Sequence, residues 1–65
     1  MNEKYINALF QIPSSPELFL VTEVVKVKDV PFFKFLSLLT GEMNEYHCDN
    51  ILRDAIWHTR SASVA

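Results

Sequence analysis

Leu18-Phe19-Leu20-Val21-Thr22-Glu23-Val24-Val25-Lys26-Val27 is the stretch on which the fold of this chain turns. It is rich in β-branched residues and holds neither glycine nor proline, which is the composition of a strand. Strict alternation places Phe19, Val21, Val25 and Val27 on one face around Glu23. Leu20, Thr22, Val24, Lys26 and Lys28 then share the other. A lone strand leaves its backbone donors and acceptors unpaired, and no other segment reads as a hairpin partner for it. A second copy of the chain is therefore expected to supply the missing strand.

Downstream, Asp29-Val30-Pro31 has the form of a helix start, with an acidic cap and a proline tolerated in the first turn. Phe32, Phe35, Leu36, Leu39 and Met43 follow at helical spacing, and Phe33 and Leu38 widen the apolar face. Gly41 lies near the end of this helix, where it either terminates it or admits a close neighbour, and residues 42–47 read as a polar connection. A last helix is expected from Cys48 to Arg60. Cys48, Ile51, Leu52, Ala55, Ile56 and Thr59 face inward, and Asp49, Asn50, Arg53 and Asp54 face outward.

Upstream, Tyr5, Leu9 and Ile12 fall near one helical face, with Ile6 and Phe10 beside them, so residues 3–11 read as a short helix. Pro13-Ser14-Ser15-Pro16 ends it. The expected architecture is α+β in a single domain, residues 1–65: an N-terminal arm (1–17) with a short helix, then a core of one β-strand and two α-helices (18–60), then a frayed tail (61–65). The strand pairs in an intertwined homodimer. Phe32, Phe35, Leu36, Leu39, Ile51, Leu52, Ala55 and Ile56 form the expected dimer interface.

Composition narrows the function. The chain has 65 residues, 49% of them apolar, and a net charge of −2. It is long enough for one small core and short enough that a partner subunit would help stabilise it. A single cysteine, Cys48, has no partner for an intrachain disulfide. Cys48, His47 and His58 lack the paired spacing of a metal site, so no metal and no cofactor is expected. The longest apolar run of the strand, Leu18 to Val21, is far short of the roughly 18 residues that span a bilayer. With no leader pattern at the N-terminus, the chain reads as soluble and cytoplasmic.

Catalytic groups are sparse. His47, Cys48 and Asp49 are consecutive and point apart, His58 suits a helix C-terminus, and one glycine cannot form a phosphate loop. An enzyme is not expected. The phenylalanines and Trp57 read as core or interface residues in preference to a stacking platform for nucleic-acid bases.

Lys26 and Lys28, two apart on a strand, present both ammonium groups to the face that carries Thr22 and Val24. They either read the DNA major groove from a two-stranded ribbon or solvate a strand end and discourage edge-to-edge association. One strand, a proline at a helix start, a helix of about four turns, a short polar connection and a second helix with Ile51-Leu52-Arg53-Asp54-Ala55-Ile56 together resemble the ribbon-helix-helix transcriptional regulators. The resemblance covers residues 19–60. It implies a homodimeric regulator bound to double-stranded operator DNA, with Thr22, Val24, Lys26 and Lys28 facing the groove and the backbone at Cys48 and Asp49 approaching phosphate. The alternative is an inhibitor or adaptor that docks on a protein partner through an apolar edge or through Tyr5, Leu9 and Phe10 of the arm.

Overall fold

In a computed structural model, which describes residues 2–59, the strand at the centre of the sequence finds both neighbours in its own chain. β2 spans Leu18–Val27, the ten residues with strand composition. A two-residue turn, Lys28 and Asp29, folds β3 (Val30–Ser37) back onto it in antiparallel register from Val27↔Val30 to Phe19↔Ser37. Lys28 and Asp29 both have positive φ, 52° and 66°. That is the handedness whose twist matches flanking strands in a tight hairpin, and it is usually carried by Asn-Gly or Asp-Gly. Without glycine the turn is hard to recognise in the sequence.

The expected helix from Asp29 onward is instead β3. Phe33, Phe35 and Ser37 are buried while Phe32, Lys34 and Leu36, alternating with them, are half-buried, which is the period of a strand. A segment apolar at nearly every position satisfies helical and strand spacing alike, so Phe32, Phe35, Leu36 and Leu39 fit a helical stripe by coincidence. Pairing with β2 decides the matter, because it satisfies backbone groups that a helix would have left exposed along β2.

The expected connection at residues 42–47 is mostly β4 (Met43–His47), paired with β3 from Leu36↔Met43 to Phe32↔His47. Gly41 turns the chain between them at φ 79°, its N–H donating to the Ser37 carbonyl at 2.9 Å. The expected N-terminal helix shrinks to a single 3₁₀ turn, Asn2–Tyr5. It is followed by β1 (Leu9–Gln11), which pairs with the free edge of β2. The expected long last helix is a seven-residue α1 (Cys48–Asp54). Its chain becomes extended at Ala55 and continues as β5 (Ile56–Thr59) along β1. Among the described residues the result is one antiparallel sheet in the order β4-β3-β2-β1-β5 with one short α-helix.

A bulge between Val21 and Glu23 sets which side chains face the core. Thr22 takes the extra position and its Oγ1 donates to the Lys34 carbonyl at 3.2 Å, so the alternation restarts beyond it. Phe19, Val21 and Val24 consequently face inward while Leu20, Glu23 and Val25 face outward. The simple alternation expected from the sequence fails from Thr22 on.

Phe10, Phe19, Val21, Phe33, Phe35, Cys48 and Ile51 form the core, with Tyr5, Ile12, Val24, Leu52, Ala55 and Trp57 packed against it. Phe10 meets Phe19, Phe35 and Trp57 at ring-centroid distances of 5.2–5.3 Å. Phe33 and Trp57, on strands that would lie about 14 Å apart in a flat sheet, have centroids 6.1 Å apart, and Tyr5 touches both. The sheet therefore curls around these rings, and α1 and the 3₁₀ turn close the concave side.

Two expectations fall with this topology. A strand with β1 on one edge and β3 on the other needs no second copy, so the intertwined homodimer loses its reason. A ribbon-helix-helix chain requires two long helices after its strand, and here the first stretch is β3 while the second is a seven-residue helix that gives way to β5. The resemblance is overturned, and the DNA-binding reading loses the support it drew from it. The tail at 61–65 lies outside the described residues.

Candidate interaction surfaces

The two faces of the sheet are unlike in chemistry. On the convex face, Leu9, Leu20, Leu36 and Met43 stand opposite one another across β1, β2, β3 and β4, forming one aliphatic row. Leu18 and Leu38 extend it where the Leu38 N–H donates to the Leu18 carbonyl at 3.0 Å, and Leu39 lies beside them. Pro16, Leu18, Leu38 and Leu39 border a depression of about 340 Å³. Leu39 is 75% exposed and Leu38 and Met43 about half exposed. The row is bounded by polar pairs. Glu23 meets Lys34 at 3.8 Å on one side, and His58 shares a 2.8 Å hydrogen bond with Gln11 on the other. Both packing elements, α1 and the 3₁₀ turn, lie on the opposite face.

The concave side is aromatic at its centre and acidic at one end. A cleft of about 510 Å³ lies between α1, β4 and the start of β2. Phe19, Phe35, Ile12, Ile51 and Ala55 line its apolar floor. Glu17, Glu42, Glu45 and Asp54 are the charged residues around it, and among the described residues no Lys, Arg or His lines it. Ser37, 2% exposed, is the polar pivot of this end. Its Oγ donates to Glu17 Oε2 at 2.6 Å and accepts the N–H groups of Leu39 and Thr40 at 3.3 and 3.2 Å. One hydroxyl thus ties β3, the segment before β2 and the β3–β4 loop together, with both lone pairs and the proton used.

The sequence-derived site residues are scattered by this arrangement. Thr22 is in the bulge, Val24 packs on the core, Lys26 is at the hairpin end and Lys28 is in its turn, so they do not share a reading face. Cys48 is wholly buried, and desolvation pushes its thiol above its ordinary pKa; Asp49 places a carboxylate in the first turn of α1. Of the expected dimer-interface residues, Phe35, Ile51, Leu52 and Ala55 are used inside the chain. Phe32, Leu36, Leu39 and Ile56 remain on the outside. The arm residues also divide, since Phe10 is fully buried and Tyr5 packs on Trp57, while Leu9 joins the convex row.

The leucine row has little signature in the sequence because it is built from four strands, each contributing one or two residues, and the loop after β3. Alternation in Leu18-Phe19-Leu20 and in Phe35-Leu36-Ser37-Leu38 was its only local trace. Among the described residues no group of three or more His, Cys, Asp or Glu is placed to hold a metal ion, and no helix is long and apolar enough to cross a membrane. No family model matches the chain, no curated protein matches its sequence and no solved structure matches its fold.

Proposed function

We propose that this protein is a small interaction module that docks on another protein through the convex leucine face. The observation that carries this reading is the row Leu9-Leu20-Leu36-Met43 with Leu18, Leu38 and Leu39: seven aliphatic side chains gathered on the face that neither α1 nor the 3₁₀ turn covers. Small soluble domains rarely gather apolar surface this way without using it, because each side chain left in water forgoes about 1.5–3 kcal/mol of burial. The polar rim of Glu23, Lys34, Gln11 and His58 suits an apolar interface core surrounded by solvated groups.

Chemical cross-linking and affinity capture with the intact chain, compared with Leu36→Asp and Leu39→Asp, test the reading. The expected result is a protein bound by the unmodified chain and lost with both variants, whose circular dichroism stays that of a β-sheet protein. Equal capture by folded variants overturns it.

A further inference from the structure

We infer that the acidic cleft on the concave side receives a basic side chain from an extended peptide that adds to the free edge of β4. The inference is independent of the convex face, which lies on the other side of the sheet. Three observations converge on it.

The first is the edge. Among the described residues β4 is paired only with β3, all five of its residues are exposed, and it contains no proline. Its unpaired N–H and C=O groups are a template for one more strand. The second is the position of the cleft. It borders this edge: Asn44 and Tyr46, the β4 residues opposite Phe35 and Phe33, stand on the concave side, and both line the cleft. A strand added to β4 would direct every second side chain toward it.

The third is charge set against an aromatic floor. Arg53 binds Asp54 at 3.2 Å and Glu45 stands opposite Lys34 in the sheet register, so these two acids have cations near them. Glu17 and Glu42 form no salt bridge among the described residues, and Glu17 is fixed by Ser37 beside Phe19 and Phe35. Those two rings meet edge-on with centroids 5.2 Å apart. An arginine or lysine suits such a site, its stem covering the rings and its charged head reaching the carboxylates. Asn50 and Thr40 offer further polar partners at the rim.

The test uses the full chain and a hexapeptide of alternating leucine and arginine. Two controls accompany it: the same peptide with each arginine replaced by neutral citrulline, and hexylamine. Titration followed by amide chemical shifts should move Ser37, Thr40, Asn44, Asn50 and Asp54, and amide exchange should slow along β4. Citrulline should weaken binding about tenfold, and Glu42→Gln, on an exposed loop residue, about threefold, as expected for solvent-accessible ion pairs. Glu17→Gln keeps an acceptor for Ser37 and should add to the loss, whereas Leu36→Asp should leave binding unchanged. Equal affinity for the citrulline peptide, shifts confined to the convex face, unchanged exchange along β4, or hexylamine binding as tightly as the peptide would each overturn the inference.

Discussion

The two faces of one curled sheet use their apolar residues to opposite ends. On the concave face, phenylalanines and Trp57 interlock within the chain, and Phe10 and Phe33 are fully buried. On the convex face, leucines form a row as regular as the core, yet Leu38, Leu39 and Met43 stay half exposed or more. Apolar content alone therefore does not distinguish what holds this molecule together from what it presents. Ring-on-ring closure does, since the curl brings aromatic side chains from β1, β2, β3 and β5 within contact while spreading those on the outside apart.

The sharpest way to break this contrast is to truncate one residue from each face of the same strand. Phe33→Ala should destabilise the fold by about 3–5 kcal/mol, enough to unfold much of a domain this small, because it opens a cavity beneath Tyr5 and Trp57. Leu36→Ala, three residues along on the convex side, should cost about 1 kcal/mol or less. Chemical denaturation of the two variants measures the difference, and equal losses would show that the convex face is covered in solution.

A smaller effect is expected where the faces meet at the loop end. Ser37→Ala removes the donor to Glu17 and the acceptor for Leu39 and Thr40, and should cost about 1–3 kcal/mol with little change in packing volume. The same denaturation experiment reads it. Chemical shifts of residues 38–42 should move with it, while those of the aromatic core stay in place.

The mildest change acts on the turn that makes the sheet possible. Replacing Lys28 by Asn and Asp29 by Gly puts at the two positive-φ positions residues that adopt that conformation at less cost, and should raise stability by about 1 kcal/mol, roughly 4–8 °C in melting temperature. A fall in melting temperature would show that contacts of Lys28 or Asp29 outweigh their backbone strain.

These same positions explain what was legible beforehand. Leu18–Val27 announced itself through composition, and the observed strand has those bounds. Cys48 is both the start of a helix and a buried thiol, in keeping with its place ahead of Ile51 and Leu52. β3 was hidden because Phe32, Phe33, Phe35 and Leu36 fit either period, and because Lys28-Asp29 lacks the glycine that usually marks a tight hairpin. β4, Met-Asn-Glu-Tyr-His, has too little apolar alternation to read as a strand, since it lies at an edge with every residue exposed. β5 was hidden by the continuity of helical spacing from Cys48 through Ile56, although Ile56 and Trp57 are better suited to a strand. The cleft had no signal at all, being assembled from residues as far apart as Ile12 and Ala55.

By itself the sequence determined one strongly strand-forming decapeptide and the start of a helix at Cys48, because these follow from local preference and composition. Tertiary structure alone decided that the decapeptide is the middle of five strands, that a bulge at Thr22 reverses its inward side, and that leucines from four strands align on one surface. The physical reason is that backbone hydrogen bonds in a sheet are satisfied between distant segments. The state of an ambiguous stretch such as Val30–Ser37 is thus set by the strand it meets and not by its own spacing.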